Sequence, residues 1–372
     1  MFFFDMRILF VLLILTIVVL VHEIGHYVVA RALGCRVSKI QIFFGKIFSI
    51  KPNPRPDGRP SWRDTEYAIG WLPLGGVTVY EDQPLPYEHV DEQSNKIMVT
   101  PPGRSWYYSN KPAWARLLIA IAGVSFNLLT AVAILAAIVF TTDYEITPYV
   151  ANRDGMYFSS LAQLAGFRNG DIPLRADNRP LHYLTDDEIN EMLDAKTVTV
   201  LRNHTDTLDI AIPASLKSVY KSSRHDPNAY FMVYQSKAGS QQPVVHVTIT
   251  ASQSARLITD MVINQVKGVV YSMAGAMGLK ARYTIPFSHD SYRVCVLSSM
   301  HAHPFLTTLA SFSIGLFVLN LIPIYPLDGG AAAFCIYEMV AHRRPSRRFQ
   351  NIVGMIGTIV IIIIFWILPL IV

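Results

Sequence analysis

His22, Glu23 and His26, in the stretch "VHEIGHYVVARALG" from Val21 to Gly34, have the types and spacing to do chemistry. On a helix, histidines four residues apart lie one turn apart and about 40° apart in direction, so both imidazoles can converge on one ion. His-Glu-x-x-His is an arrangement in which the histidines hold zinc and the glutamate takes a proton from the water that zinc acidifies. Three fixed positions in five arise often by chance, so the setting carries weight. Here the motif closes a long apolar run that begins at Ile8.

An ionisable group near the centre of a bilayer costs about 2.5–3.5 kcal/mol on insertion scales, so such groups normally face a polar cavity and serve a function. Zinc would compensate for all three. The plainer alternative ends the span at Val21 and leaves the three side chains solvated at the membrane surface.

Catalytic zinc takes a third protein ligand and keeps a position for water. Asp328 in "NLIPIYPLDGG" is the best candidate, an acid at the end of an otherwise uncharged apolar stretch. Read alone, it is better explained as the N-cap of the helix "AAAFCIYEMV", with Gly329 and Gly330 as turn residues. Glu66, Glu81 and the pair His301 and His303 are the rival ligands.

The elements that must position these groups follow from composition. The chain has 372 residues, 51% hydrophobic and 16% charged, against about 25% charged in soluble domains. It reads as an α-helical polytopic membrane protein with four spans: about Ile8 to Ala32, Leu117 to Phe140, Phe305 to Ile324 and Ile352 to Val372. A signal peptide ending near Cys35 is the alternative for the first span, but His22, Glu23 and His26 do not belong in such a segment.

Basic residues set the orientation. Arg36, Lys39, Lys46, Lys51, Arg55, Arg59 and Arg63 follow the first span, and Arg343, Arg344, Arg347 and Arg348 separate the last two. Both connections are expected in the cytoplasm, which puts residues 142–303, with His301 and His303, outside. The net charge of +5 is concentrated in these loops and gives no nucleic-acid signal. Cys35, Cys295 and Cys335 make neither a disulfide framework nor a Cys-x-x-Cys zinc pattern.

Residues 36–80 are rich in aromatic and β-branched side chains and predict a membrane-associated β hairpin or small sheet, with Gly75 and Gly76 punctuating it. Residues 82–111 predict an irregular connection. Within 142–250, "GMYF", "TVTVL" and "TLDIAIP" predict strands, "SLAQLAG" a helical turn, 214–242 a polar linker and 244–250 one more strand. Residues 251–303 begin as an amphipathic segment on the membrane surface.

"HEIGH", "PLGG", "GVSFN" and "NLIPIYPLDGG", in this order, resemble the motifs of the site-2 protease family of intramembrane zinc metalloproteases, and together they cover most of the chain. The resemblance implies zinc on His22, His26 and Asp328 with Glu23 as general base. It further implies a re-entrant β loop that pairs with unwound substrate at Gly75 and Gly76, and substrate contacts by Asn127, Asn320 and Pro323. Where many members have Pro-x-Pro, this chain has "PIYP", with Tyr325 in place of the second proline. "SSLAQLAGFRNGDIPLRADNRPL" is similar to a PDZ domain, an extracytoplasmic α+β module that binds extended peptides by strand addition, here near 155–158, or that filters substrates by bulk.

The PDZ-bearing bacterial members sit in the inner membrane, and the resemblance implies single-pass substrates such as anti-sigma factors and signal-peptide remnants. A reading of another class is a non-catalytic PDZ-bearing adaptor or chaperone with a structural metal site. A zinc-dependent transporter would want more polar residues across the spans than Asn127, Asn320 and Asp328 supply.

Overall fold

The apolar run before the histidine motif holds no proline and no glycine, and it folds as one helix, α1 (Met6–Ala32), with Arg31 in the last turn, where a cation suits the helix dipole. The computed structural model describes residues 6–53, 61–82, 87–90, 96–99, 104–223, 230–234, 244–276 and 291–363. After α1 come β1 (Val37–Phe44), β2 (Phe48–Ile50), β3 (Glu66–Ile69), β4 (Leu72–Tyr80), β5 (Tyr87–Val90), β6 (Lys96–Val99) and helix α2 (Ala113–Thr141). The middle of the chain forms β7 (Glu145–Ile146), β8 (Met156–Phe158), α3 (Ser160–Leu164), β9 (Ile172–Ala176), β10 (Arg179–Pro180), α4 (Asp186–Asp194), β11 (Thr197–Arg202), β12 (Asp206–Ala211), α5 (Ala214–Ser223), β13 (Met232–Tyr234) and β14 (Val245–His246). The helices α6 (Ala251–Ala276), α7 (Ser291–Ala302), α8 (Pro304–Leu321), α9 (Asp328–Ala341) and α10 (Arg347–Ile362) follow.

Among the described residues, three helices are long and apolar enough to cross a membrane: Ile8–Ala32, Ala113–Thr141 and Pro304–Leu321. The fourth expected span runs beyond α10 into residues outside those described. The chain divides into two units, and the first gathers Met1–Ile134, Gln265–Arg282 and Phe305–Val372. In it Ile14 and Val18 of α1 are buried with Leu309 of α8, and Phe10 meets Phe305 edge to face at 5.8 Å. Ile8, Leu9, Val11 and Leu13 stay exposed, as suits a helix face in lipid. Gly25 brings α1 close to α2, since a Cβ there would stand 2.7 Å from the Ala122 carbonyl oxygen.

The β region is a four-stranded mixed sheet in the order β2-β3-β1-β4. A simple hairpin does not describe it, because β1 and β3 run parallel while β4 pairs antiparallel with β1, matching Ile42 with Gly76 and Ile40 with Thr78. Ala30, Cys35, Val37 and Ile119 form a buried cluster at the join of α1, β1 and α2. The connection expected to be irregular carries a small antiparallel pair, Tyr87 with Val99 through Val90 with Lys96.

The second unit, Leu135–Asn264 with Tyr283–Pro304, holds a sheet in the order β10-β9-β11-β12. Its core includes Tyr149, Phe158, Phe167, Met192, Val198 and Val200. Pro173 lies within β9, where a register shift opposite Thr199 and Val200 accommodates the residue that cannot donate to the ladder. Buried Asp171 takes a bidentate contact from Arg202, whose Nε and Nη2 stand 2.8 and 2.7 Å from its two oxygens.

Two expectations are corrected here. The polar linker of 214–242 contains α5 and β13, whose Leu216, Tyr220, Phe231 and Met232 enter the core, because four apolar side chains suffice to order an otherwise polar stretch. β8, near which peptide addition is expected, pairs along one edge with β13, Met156 to Tyr234 through Phe158 to Met232. The strand expected over 244–250 is only Val245–His246, paired with β7.

Candidate metal centre

His22 and His26 point from one face of α1, their Nε2 atoms 3.2 Å apart. Asp328 arrives from the other end of the chain. After α8 the chain turns back through Ile322 to Leu327, closed by the Leu327 amide donating to the Ile324 carbonyl at 2.8 Å. The glycines after Asp328 let that turn fold tightly, for a Cβ on Gly329 would collide with the Leu321 and Ile322 carbonyl oxygens and one on Gly330 with the Tyr325 backbone.

Leu327 occupies the N-cap of α9 and Asp328 the first helical position, so the aspartate does not cap its own helix. Its Oδ2 instead stands 3.1 Å from His22 Nε2 and 3.2 Å from His26 Nε2. That oxygen is buried and makes no hydrogen bond. The three atoms thus form a nearly equilateral triangle. With Zn–N and Zn–O bonds of about 2.0–2.2 Å, the edge of a zinc tetrahedron is about 3.3–3.5 Å, and a two-nitrogen, one-oxygen donor set suits a catalytic site. The residues fit the metal.

The outer ring nitrogen of His26 is held as ligation needs. His26 Nδ1 is 2.8 Å from the Ile119 carbonyl oxygen, an acceptor only, which keeps the proton on Nδ1 and frees Nε2. His22 Nδ1 faces Nδ2 of fully buried Asn127 at 3.2 Å. Ligation through His22 Nε2 requires Asn127 to present Oδ1 as acceptor, and Oδ1 has no other partner, so turning the amide sacrifices no bond of that oxygen. Gly123, one turn before Asn127, presents bare backbone to both rings; a Cβ there would lie 2.5 Å from His26 Nε2 and 2.7 Å from His22 Cε1.

Glu23 is 4% exposed and accepts a 2.6 Å hydrogen bond from Thr78 Oγ1 on β4. Gly76 on the same strand leaves it room, since a Cβ there would stand 2.7 Å from Glu23 Cγ and 2.8 Å from Oε1. Gly75, with φ +139°, lies beside the Phe44 ring. Asn320 sits half-buried in the last turn of α8, and Pro323 is exposed in the turn that follows.

Among the sequence candidates, the structure gathers His22, Glu23, His26, Asp328, Gly76 and Asn127. The rival ligands are engaged elsewhere: Glu66 pairs with Lys46 at 3.2 Å, Glu81 with Arg36 at 3.2 Å, and His301 Nδ1 faces the Leu297 carbonyl at 2.7 Å. Thr78 and Gly123 escaped the sequence reading. Gly123 had a signal, as the first residue of "GVSFN" inside an apolar span, four residues before Asn127; Thr78 had none.

Tyr325, the residue that breaks the expected Pro-x-Pro, lies against α10. Its ring covers Gly354, where a Cβ would be 2.9 Å away, and its carbonyl oxygen occupies the place of a Gly357 side chain. It also contacts Phe334 at 5.3 Å between ring centroids. The turn that delivers Asp328 is seated on a glycine pair of the last described helix.

The model of peptidase family M50 matches residues 10–364. Metalloprotease MmpA of Caulobacter vibrioides is 24% identical over 91% of this chain and 88% of its own. A Campylobacter jejuni protein provisionally named zinc metalloprotease Cj1068 is 25% identical over 94% of this chain and 88% of its own. A similarly named protein of Thermotoga maritima is 30% identical over 63% of this chain and 40% of its own.

Proposed function

The chain belongs to peptidase family M50 and is a zinc metalloprotease, and from that premise we propose that it cuts transmembrane segments of single-pass proteins within the bilayer. The observation that carries the reading is the triangle of His22 Nε2, His26 Nε2 and Asp328 Oδ2 with Glu23 beside it, the histidines and the glutamate on a helix apolar enough to span a membrane and Asp328 beyond the turn that follows another.

His22, His26 and Asp328 would hold zinc, which when bound supplies Lewis-acid chemistry, acidifying a water and polarising a carbonyl. Glu23 takes the proton of the attacking water and returns it to the leaving amine. A substrate helix must unwind to expose its peptide bond, and in lipid the released backbone groups need partners. β4, the end strand of its sheet, offers an edge beside Gly75 and Gly76 that no strand among the described residues pairs with. Asn127 acts on His22, whereas Asn320 and Pro323 are left to contact substrate.

The basic loops favour an orientation in a bacterial inner membrane with residues 36–111 on the cytoplasmic side and residues 142–303 outside. Anti-sigma factor-like proteins and signal-peptide remnants are the substrates this topology suits. The PDZ-like unit is read as a peptide-binding module or as a filter against bulky substrates.

In membranes holding a tethered transmembrane reporter, Glu23→Gln is expected to lower cleavage at least 100-fold, since a general base contributes about 10²–10⁴, while zinc stays bound. Unchanged cleavage refutes the mechanism. A wild-type chain that binds the reporter without cutting it, indifferent to a zinc chelator, would be an adaptor instead.

A further inference from the structure

We infer that Thr78 is a positioning residue for the general base, and that the strand offered to substrate also fixes the orientation of Glu23. The inference rests on the reading of Glu23 as that base.

Gly76 and Thr78 are two residues apart on β4, so they face the same side of the strand. Both meet Glu23. Gly76 supplies space, with its missing Cβ 2.8 Å from Oε1, and Thr78 supplies a donor, with Oγ1 2.6 Å from Oε2. That distance falls in the range of a charge-assisted O–H···O⁻ bond. Thr78 is itself placed by the ladder, in register with Ile40 of β1, and Gly76 with Ile42.

The division of labour between the two carboxylate oxygens follows. Thr78 holds Oε2, and Oε1, beside the space that Gly76 leaves, is the oxygen that takes the proton. A glutamate on a helix has three side-chain torsions to settle, and burial alone does not choose among them. A hydroxyl on an independently hydrogen-bonded strand does. Because β4 is an edge strand, substrate added to it bears on the residues that aim the base. Orientation of Glu23 is then a property of the turnover step, with little effect on zinc or on substrate affinity.

The test uses the full-length enzyme in detergent with a fluorogenic transmembrane peptide. Thr78→Val, of similar shape but with no donor, is expected to lower kcat about ten-fold or more, with KM within about two-fold and zinc content unchanged. Thr78→Ser, which keeps the donor, should restore kcat to within about three-fold of wild type. Difference infrared spectra give a readout independent of turnover: the Glu23 carboxylate band, identified by its loss in Glu23→Gln, should move in Thr78→Val and hold its position in Thr78→Ser. An unchanged kcat in Thr78→Val, equal losses in the valine and serine variants, or an unmoved band overturns the inference. Failure of the parent reading looks different, because Glu23→Gln would then cleave as wild type does.

Discussion

Gly123 of α2 stands so close to His26 of α1 that a single added methyl would lie 2.5 Å from the ring's Nε2. Inside a helix, alanine is favoured over glycine by about 1 kcal/mol, so retaining glycine here opposes helix propensity. Gly123→Ala is therefore expected to weaken zinc binding about 10- to 100-fold, the usual effect of disturbing the groups around a metal ligand. Competition with a chromophoric chelator measures it, and a variant that binds zinc as wild type does would show that α2 yields.

Asn127 is expected to act through its acceptor. Asn127→Asp keeps an oxygen opposite His22 Nδ1, whereas Asn127→Leu removes it and leaves a buried ring N–H without a partner, at about 1–3 kcal/mol. Zinc affinity should follow that order, near wild type for aspartate and at least ten-fold weaker for leucine. Equal affinities would separate Asn127 from the centre.

Gly357→Ala should unseat the turn before Asp328, because the new methyl would meet the Tyr325 carbonyl oxygen. Backbone cannot step aside as a side-chain tip can, so a loss of about 1–3 kcal/mol is expected, read as a lower melting temperature in detergent together with reduced zinc content. A stable variant with full zinc content would contradict the seating of Asp328 by α10.

His246 gives a pH dependence outside the membrane spans. Its Nδ1 hydrogen-bonds Asp143 at 3.0 Å and Nε2 faces Glu145 at 3.9 Å. The hydrogen bond to Asp143, and then the charges of Asp143 and Glu145, raise its pKa above the usual 6.5. Since the folded value is the higher one, the contribution to stability is complete below 6.5 and is lost as pH rises through the folded value. The melting temperature of wild type should exceed that of His246→Gln at about pH 6 and match it at about pH 8.5, by scanning calorimetry. A difference that persists at the higher pH would mean packing, not charge, joins β14 to β7.

The sequence made the first half of the centre legible because residues four apart share a helix face whatever packs against it. Asp328 was legible only through the resemblance, since an aspartate before a helix is by itself better explained as a cap; Leu327 at the N-cap sets that explanation aside. Thr78 and Gly123 depend on which strand and which helix flank α1, and periodicity carries no information about partners. The same limit hid the parallel pairing of β1 with β3. β13 was concealed differently, its Phe231 and Met232 being too few to give polar surroundings an apolar pattern.

The glycine seat for Tyr325 also has a consequence for biogenesis. A ribosome delivers α1, with His22, Glu23 and His26, at the start of synthesis, but the turn carrying Asp328 finds its support only when Gly354 and Gly357 have been made. A chain that ends before α10 holds His22, Glu23, His26 and Asp328 without the glycines on which Tyr325 rests. The seat of the turn is thus translated after every residue of the proposed centre.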